Sequence, residues 1–311
     1  MREIVVGSRD SQLAMWQTKW VVDQLRELYP TGRFRIVPIK TTGDKILDVA
    51  LARIGDKGLF TKELEIALLK GEIDLAVHSL KDLPTELPAG CQIGAICCRA
   101  DPRDVLISPT GLTLRQLPLG ARIGTSSQRR RAQLLNYRPD LEILDLRGNL
   151  NTRLEKLTRQ SLDAIVLAAA GVERLGITER ISEYLPFEVC LPAVGQGAIA
   201  VEIRQNDPEI GAVVTLLNHF ESVIAVTAER ALLKRLGGGC QIPIAAYGEV
   251  TGESLKLRAL VASVDGRQVI RGQKQGAVSE AVRLGEQLAE ELLGQGADAI
   301  LKSLEREIRN D

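Results

Sequence analysis

The stretch Ile4-Val5-Val6-Gly7-Ser8-Arg9-Asp10-Ser11 sets the architecture. Three apolar residues read as a short buried strand, and the glycine and polar residues after them end it. Leu13, Trp16, Trp20, Leu25 and Leu28 follow at helical spacing, with Ser11 as a plausible N-cap. Strand, polar turn and helix then recur. Phe34–Ile39 is a strand, placed near an edge or end by Pro38. Thr61–Leu69 is a helix, Ile73–His78 a buried strand running into Ser79-Leu80-Lys81-Asp82, and Ile93–Cys98 a further strand. Such alternation implies a mostly parallel sheet covered on both faces.

The alternation restarts. Val105–Ile107, Arg122–Gly124, Leu141–Leu146 and Ala164–Leu167 read as strands, with helices near 127–137 and 149–159. Ala198–Ile203 is a strand that could return to the first sheet. Residues 1–97 with 198–216 then form one α/β domain and 103–192 a second, joined by two crossings that make a hinged cleft. Leu216–Leu236 reads as one helix, with His219 an ordinary helix residue. Strands near 244–250, 255–263 and 267–271 and helices over Glu280–Leu293 and Ala297–Ile308 make residues 220–311 a small α+β domain. The fold class is α/β: two doubly wound domains joined by a two-segment hinge, plus this C-terminal domain. The pattern from Thr41 to Lys57 is poor and reads as a mobile covering loop.

Composition excludes several classes. Hydrophobic residues are 45% and aromatics 3% of the 311, so the cores are aliphatic. Lys+Arg and Asp+Glu each number 40, yet residues 120–160 hold eight Arg and one Lys against four acids, a local net of +5. A basic patch in a neutral chain suits a small or medium anion, and a nucleic-acid binder would want aromatic interleaving that this segment lacks. Two histidines argue against a zinc site, and five cysteines with no C-x-x-C pair argue against a disulfide framework. No signal-peptide or membrane-spanning run is found, so a cytoplasmic or plastid-stromal location is expected.

Ligands of open α/β sheets sit off the carboxyl ends of the strands. Arg9, Thr125, Ser126, Arg129, Arg130, Arg147, Arg153 and Arg174 fall at strand ends or the helix starts after them. Guanidinium forks hold carboxylates two-pronged at any working pH. The hydroxyls of Thr125-Ser126-Ser127 can cap the following helix, and Arg174 follows an Ala170-Gly171 turn. Arg131, Arg138 and Arg159 read as outer-face arginines. Asp82 follows a strand and can steady a developing cation or pass a proton. His78 reads as a structural hydrogen-bonder, Lys57 as a residue of the covering loop, and Gln196, between two glycines, as a hinge with close backbone approach. In Gly237-Gly238-Gly239-Cys240-Gln241-Ile242-Pro243, three glycines end a helix and leave a thiol on a loop. Read locally, that thiol is either a buried, inert cysteine or a reactive one.

Eight stretches together resemble the porphobilinogen deaminase (hydroxymethylbilane synthase) family. They are Gly7–Ser11, Lys57-Gly58-Leu59-Phe60, His78–Asp82, Asp101-Pro102-Arg103-Asp104, Gly124–Ser127 through Arg130, Leu146–Asn149 to Arg153, Pro192–Gly197 and Gly238-Gly239-Cys240-Gln241. The resemblance implies three domains, the first two like a periplasmic binding protein. It implies a dipyrromethane cofactor joined to Cys240 by a thioether, and head-to-tail condensation of four porphobilinogen molecules into linear hydroxymethylbilane with loss of four ammonias. It gives Asp82 and Arg9 catalytic roles. Cofactor carboxylates would be held by Ser79, Lys81, Thr125, Ser126, Arg129, Arg130, Arg147 and Arg153, with Asp82 at the pyrrole N–H groups. Substrate would meet Arg9, Ser11, Arg147, Arg153, Arg174 and Gln196, with Lys57 and Phe60 in the covering loop. Arg53 stands where relatives often carry Lys. No metal, nucleic-acid or membrane partner is expected from the composition, a monomer is expected because no apolar interface patch stands out, and a product handed to uroporphyrinogen III synthase is expected as well. The rival reading is a non-catalytic polyanion-binding protein with the same two-domain architecture.

Overall fold

The computed structural model describes residues 2–45, 58–238 and 242–310. The expected covering loop therefore lies outside the described residues apart from one helical turn at Thr42–Lys45, and Lys57, Arg53 and Cys240 lie outside them too. The chain divides into two compact units, residues 1–47, 56–100 and 197–223 in one and 101–196 with 224–311 in the other.

The first unit is built on one five-stranded sheet. Its strands are β1 (Ile4–Arg9), β2 (Phe34–Ile39), β3 (Leu75–Ser79), β4 (Cys91–Ile96) and β10 (Ile199–Arg204), in the order β2-β1-β3-β10-β4. β1 runs parallel to β2 and β3, whereas β10 is antiparallel to both its neighbours. Pro38 is tolerated because β2 is an edge strand. On the helix Gln12–Leu28, Ser11 Oγ accepts from Ala14 N at 3.3 Å. Its buried face is Ala14, Thr18, Val21, Val22 and Leu25, while Leu28 stays exposed. Val21, Val22 and Leu25 pack on Ile4, Val6, Leu75, Val77 and Val201. The helix Lys62–Leu69 covers the other face, with Leu64 and Leu68 against Ile73 and Ala76. Each fully buried Leu contributes about 1.5–3 kcal/mol by leaving water.

The second unit holds a sheet with the same plan. β5 (Asp104–Ile107), β6 (Arg122–Gly124), β7 (Glu142–Leu144), β8 (Ala164–Ala168) and β9 (Glu183–Tyr184) lie in the order β7-β6-β8-β5-β9. β6 is parallel to β7 and β8, and β5 is antiparallel to β8 and β9. In both sheets the antiparallel strand begins just after a crossing. β5 follows Pro102-Arg103 and β10 follows Gly197-Ala198. Gly197 has φ of 89°, and a Cβ there would lie 2.5 Å from the Ala100 carbonyl oxygen, so this position requires glycine.

The same unit carries the antiparallel sheet β11 (Ile244–Thr251), β12 (Ser254–Ala262) and β13 (Val269–Ala277). Leu284, Leu288 and Leu292 of the helix Ala281–Leu292 cover it, with Leu232 of the helix Phe220–Arg235 in the same core. Two expectations need correction. β13 continues past 271, because Gly272 and Gly276 leave room for Leu288 and Leu284 to pack directly on the strand. The helix expected over 216–236 begins at Phe220, and a separate helix, Pro208–Thr215, precedes it, capped by Asp207. His219 is thus no helix residue. Its Nδ1 lies 3.0 Å from Ser222 Oγ, ahead of the first turn, and Asn218 Oδ1 accepts from Ile96 N at 2.9 Å.

Candidate functional site

β1 and β3 are parallel neighbours that end at Arg9 and Ser79, so both residues stand at the same carboxyl edge of the sheet. Beyond Ser79 the chain turns through Leu80–Asp82. Leu80 and Leu83 are buried, Leu80 N donates to Ala198 O at 3.0 Å and Leu83 N to Leu80 O at 3.1 Å. Burying both leucines turns Lys81 and Asp82 toward a pocket lined by Arg9, Ser11, Gln17, Phe60, His78 and Ser79. The Arg9 guanidinium sits 4.3 Å over the Phe60 ring, and Gln17 Nε2 donates to Ser79 Oγ at 2.9 Å. One pocket of the first unit therefore collects Arg9, Ser11, Phe60, Ser79, Lys81 and Asp82 from three separate stretches. Two cations and a carboxylate beside hydroxyls can hold carboxylates and steady a positive charge.

In the second unit the strand-end rule operates again. Thr125–Arg130 follows β6, Leu146–Arg153 follows β7 and Ala169–Arg174 follows β8, three adjacent parallel strands. The helix Gln128–Tyr137 is capped by Ser127, one of the three hydroxyls expected to do so, whose Oγ accepts from Arg130 N. Thr125 Oγ1 accepts from Ser127 N at 3.2 Å, and Ser126 Oγ bonds both Leu146 O and Leu146 N, at 3.0 and 2.9 Å. Ser126 thus fixes the backbone one residue before Arg147. Arg174 is the last residue of the helix Ala169–Arg174 rather than a residue after a turn. Asn149 caps Leu150–Arg159, and Arg153 Nε donates to Gly148 O at 2.8 Å. Arg138 is no bare outer-face residue, since its Nη1 donates to Leu114 O and Leu117 O.

Arg129 and Arg130 are each 5% exposed. Their partner is Asp104, a functional residue that the local sequence pattern does not reveal. β5 is antiparallel to β8, so its first residue lies at the carboxyl ends of the parallel strands, paired with Ala168. Asp104 Oδ2 accepts from Arg129 Nη1 at 2.7 Å, and Oδ1 accepts from Arg130 Nη2 at 2.7 Å and from Gln196 Nε2 at 2.9 Å. Burial opposes ionisation of Asp104, but the two guanidiniums outweigh it and hold the carboxyl far below the usual range. Cys190 Sγ faces the same carboxylate at 3.3 Å, and burial pushes this thiol up to about 12. Two guanidiniums on one carboxylate leave one uncompensated positive charge, which favours a further anion close by. Gln196, expected beside substrate, is buried, and its amide also donates to Pro102 O at 2.7 Å, tying the two crossing segments together. The signal for Asp104 was its place at the head of a strand after Asp101-Pro102-Arg103.

Among the described residues no group of His, Cys, Asp and Glu could hold a metal ion. Among them no single helix is long and apolar enough to cross a membrane.

A family model described as "Porphobilinogen deaminase, dipyromethane cofactor binding domain" matches residues 4–212, and "Porphobilinogen deaminase, C-terminal domain" matches 223–294. A protein of Carboxydothermus hydrogenoformans named porphobilinogen deaminase is 58% identical over 306 residues, covering 98% of this chain and 98% of that one. One of Desulforamulus reducens with the same name is 58% identical, covering 97% of this chain and 98% of that one. Another, of Geotalea daltonii, is 51% identical, covering 100% and 98%. Among solved structures, the VFT2 domain of Bordetella pertussis BvgS aligns with TM-score 0.41 at 15% identity, covering 68% of this chain and 84% of that chain.

Proposed function

The chain belongs to the porphobilinogen deaminase family, and from that premise we infer that it condenses porphobilinogen head to tail into a linear tetrapyrrole with release of ammonia. The observation that carries this is the pocket joining Arg9, Ser79, Lys81 and Asp82 at the ends of two adjacent strands. In finer detail the enzyme is a hydroxymethylbilane synthase that joins four substrate molecules.

The donor set fits a dipyrromethane cofactor, which bears two carboxylates on each ring. Lys81 and Arg9 stand in the pocket of the first unit. In the second, Arg147, Arg153 and Arg174 lie on segments that follow three adjacent parallel strands, in the same unit as the net positive Asp104–Arg129–Arg130 cluster. When bound, the cofactor supplies the nucleophilic pyrrole carbon on which the chain grows. Cys240, outside the described residues, would hold it covalently.

The side chains do the rest. Asp82, on the pocket wall, steadies positive charge developing on the substrate ring as ammonia leaves and manages the ring N–H proton. Arg9 assists proton delivery at the departing amine and, stacked on Phe60, keeps a fixed direction. Ser11 and Ser79 orient substrate and cofactor oxygens. Thr125, Ser126, Arg147, Arg153 and Arg174 hold carboxylates. Arg129 and Arg130, being buried on Asp104, act by supplying net charge. Gln196 secures the crossing, and Lys57, outside the described residues, would belong with Phe60 to the covering loop. The enzyme would work as a cytoplasmic monomer and pass its product to uroporphyrinogen III synthase.

The test is incubation with porphobilinogen, following ammonia release and product absorbance. Stoichiometric ammonia with one linear tetrapyrrole per four substrates supports the reading. Tight binding of porphobilinogen without ammonia release would favour a polyanion-binding protein instead.

A further inference from the structure

Beneath the pocket of the first unit lies a buried polar cluster for which the chemistry above finds no use. His78 lines the pocket at the end of β3. Ala200 is opposite His78 and Glu202 opposite Ala76 in the antiparallel register, so His78 and Glu202 share one face of the sheet. His78 Nε2 lies 2.9 Å from Glu202 Oε2, with the side chains 2% and 0% exposed. Glu65 approaches the pair from the helix Lys62–Leu69, and Cys91 from β4. Glu65 Oε1, both Glu202 oxygens and His78 Nε2 make no well-aligned hydrogen bond within the protein.

Buried polar atoms with imperfect partners are rare and call for an explanation. The charge count supplies one. An ionised carboxylate in this interior needs a cation, and His78 lies closest to Glu202. Arg204, the other cation near Cys91, already bonds Asp74 and Asp207. Burial raises the Glu65 carboxyl above its usual range and pushes the Cys91 thiol up to about 12, so both favour their neutral forms. On the pocket side, Arg9, Lys81 and Asp82 face the same strand end.

We propose that His78 and Glu202 are a positioning element of the reaction pocket, held 2.9 Å apart and ready to close into an aligned hydrogen bond through which one proton shifts between Nε2 and the carboxylate as charge changes at Asp82. The inference rests on the functional reading above. Each condensation alters the pocket's charge: a cationic amine arrives, ammonia leaves, the C–C bond forms and the attacked carbon loses a proton. A mobile buried proton lets the floor of the pocket answer each change without a net proton entering or leaving.

The chain has only two histidines, so 15N-histidine labelling of the holoenzyme gives two imidazoles, and His219→Gln assigns them. We expect Glu202→Gln to change the His78 nitrogen signals, because the partner of Nε2 is then an uncharged amide. We expect Asp82→Asn, and added porphobilinogen, to move the His78 nitrogen signals. Turnover of Glu202→Gln falls about tenfold with KM within about twofold and a displaced pH profile. A His78 spectrum indifferent to Asp82→Asn and to substrate would overturn the proposal, leaving the pair a packing feature. The Asp82→Asn arm touches no core residue, so it decides even if Glu202→Gln fails to fold. These signals need no turnover, so a wild type that released no ammonia would strike the functional reading alone.

Discussion

Asp104 Oδ2 accepts a hydrogen bond from Arg129 Nη1 at 2.7 Å, with both side chains sealed from solvent. Arg130 binds the other oxygen, so one carboxylate holds two guanidiniums at the start of β5. Asp104→Asn leaves two buried cations without their counter-ion, and we expect a loss of about 3–5 kcal/mol in stability. Urea unfolding of the variant measures it. A loss well under 1 kcal/mol would show that the cluster is not held together by charge.

Asp82 is partly exposed on a turn fixed by Leu80 and Leu83 rather than by its own side chain. Asp82→Ala should therefore unfold at nearly the wild-type temperature while kcat drops by about a hundredfold or more. Near-normal turnover would remove Asp82 from the chemistry.

Phe60 provides the face on which Arg9 rests. Replacing it by Leu keeps apolar cover and deletes the ring, a loss of about 0.5–1 kcal/mol or about two- to fivefold in kcat/KM. Steady-state kinetics on Phe60→Leu checks this, and an unchanged kcat/KM would count against the stacking.

Glu65 gives a pH prediction with a definite sign. Burial raises its folded-state pKa, so the carboxyl prefers to be protonated in the native state. Its contribution to stability is fully present below the ordinary Glu pKa of about 4.3 and fades as pH rises through the higher folded value. Glu65→Gln should remove that decline. Thermal melts between acid and neutral pH should show the variant gaining on wild type as pH rises; parallel curves would contradict the assignment.

Ser126 is expected to matter through Arg147. Its hydroxyl bonds both backbone groups of Leu146. Ser126→Ala should cost about 1–3 kcal/mol in stability by leaving a part-buried amide and carbonyl unpartnered, and it should raise KM more than it lowers kcat. Denaturation and kinetics on the same preparation separate the two effects.

What the sequence reveals here is local. Arg9, Ser79 and Asp82 sit where strand-then-turn patterns put them, because a strand end is specified by its own few residues. Asp104 was illegible as the partner of Arg129 and Arg130, since that pairing depends on β5 entering the sheet antiparallel. The break at Leu216–His219 hid inside apolar periodicity that two helices share. The extension of β13 depends on leucines of a later helix meeting Gly272 and Gly276. The His78–Glu202 pair likewise joins residues brought together only by the sheet register.

Whether a two-ring primer tethered to Cys240 is extended on this protein is decided by the mass of the intact purified chain. That mass should exceed the polypeptide's by two linked pyrrole units, and the excess should be absent in Cys240→Ser. An active wild-type enzyme with the bare polypeptide mass would contradict it.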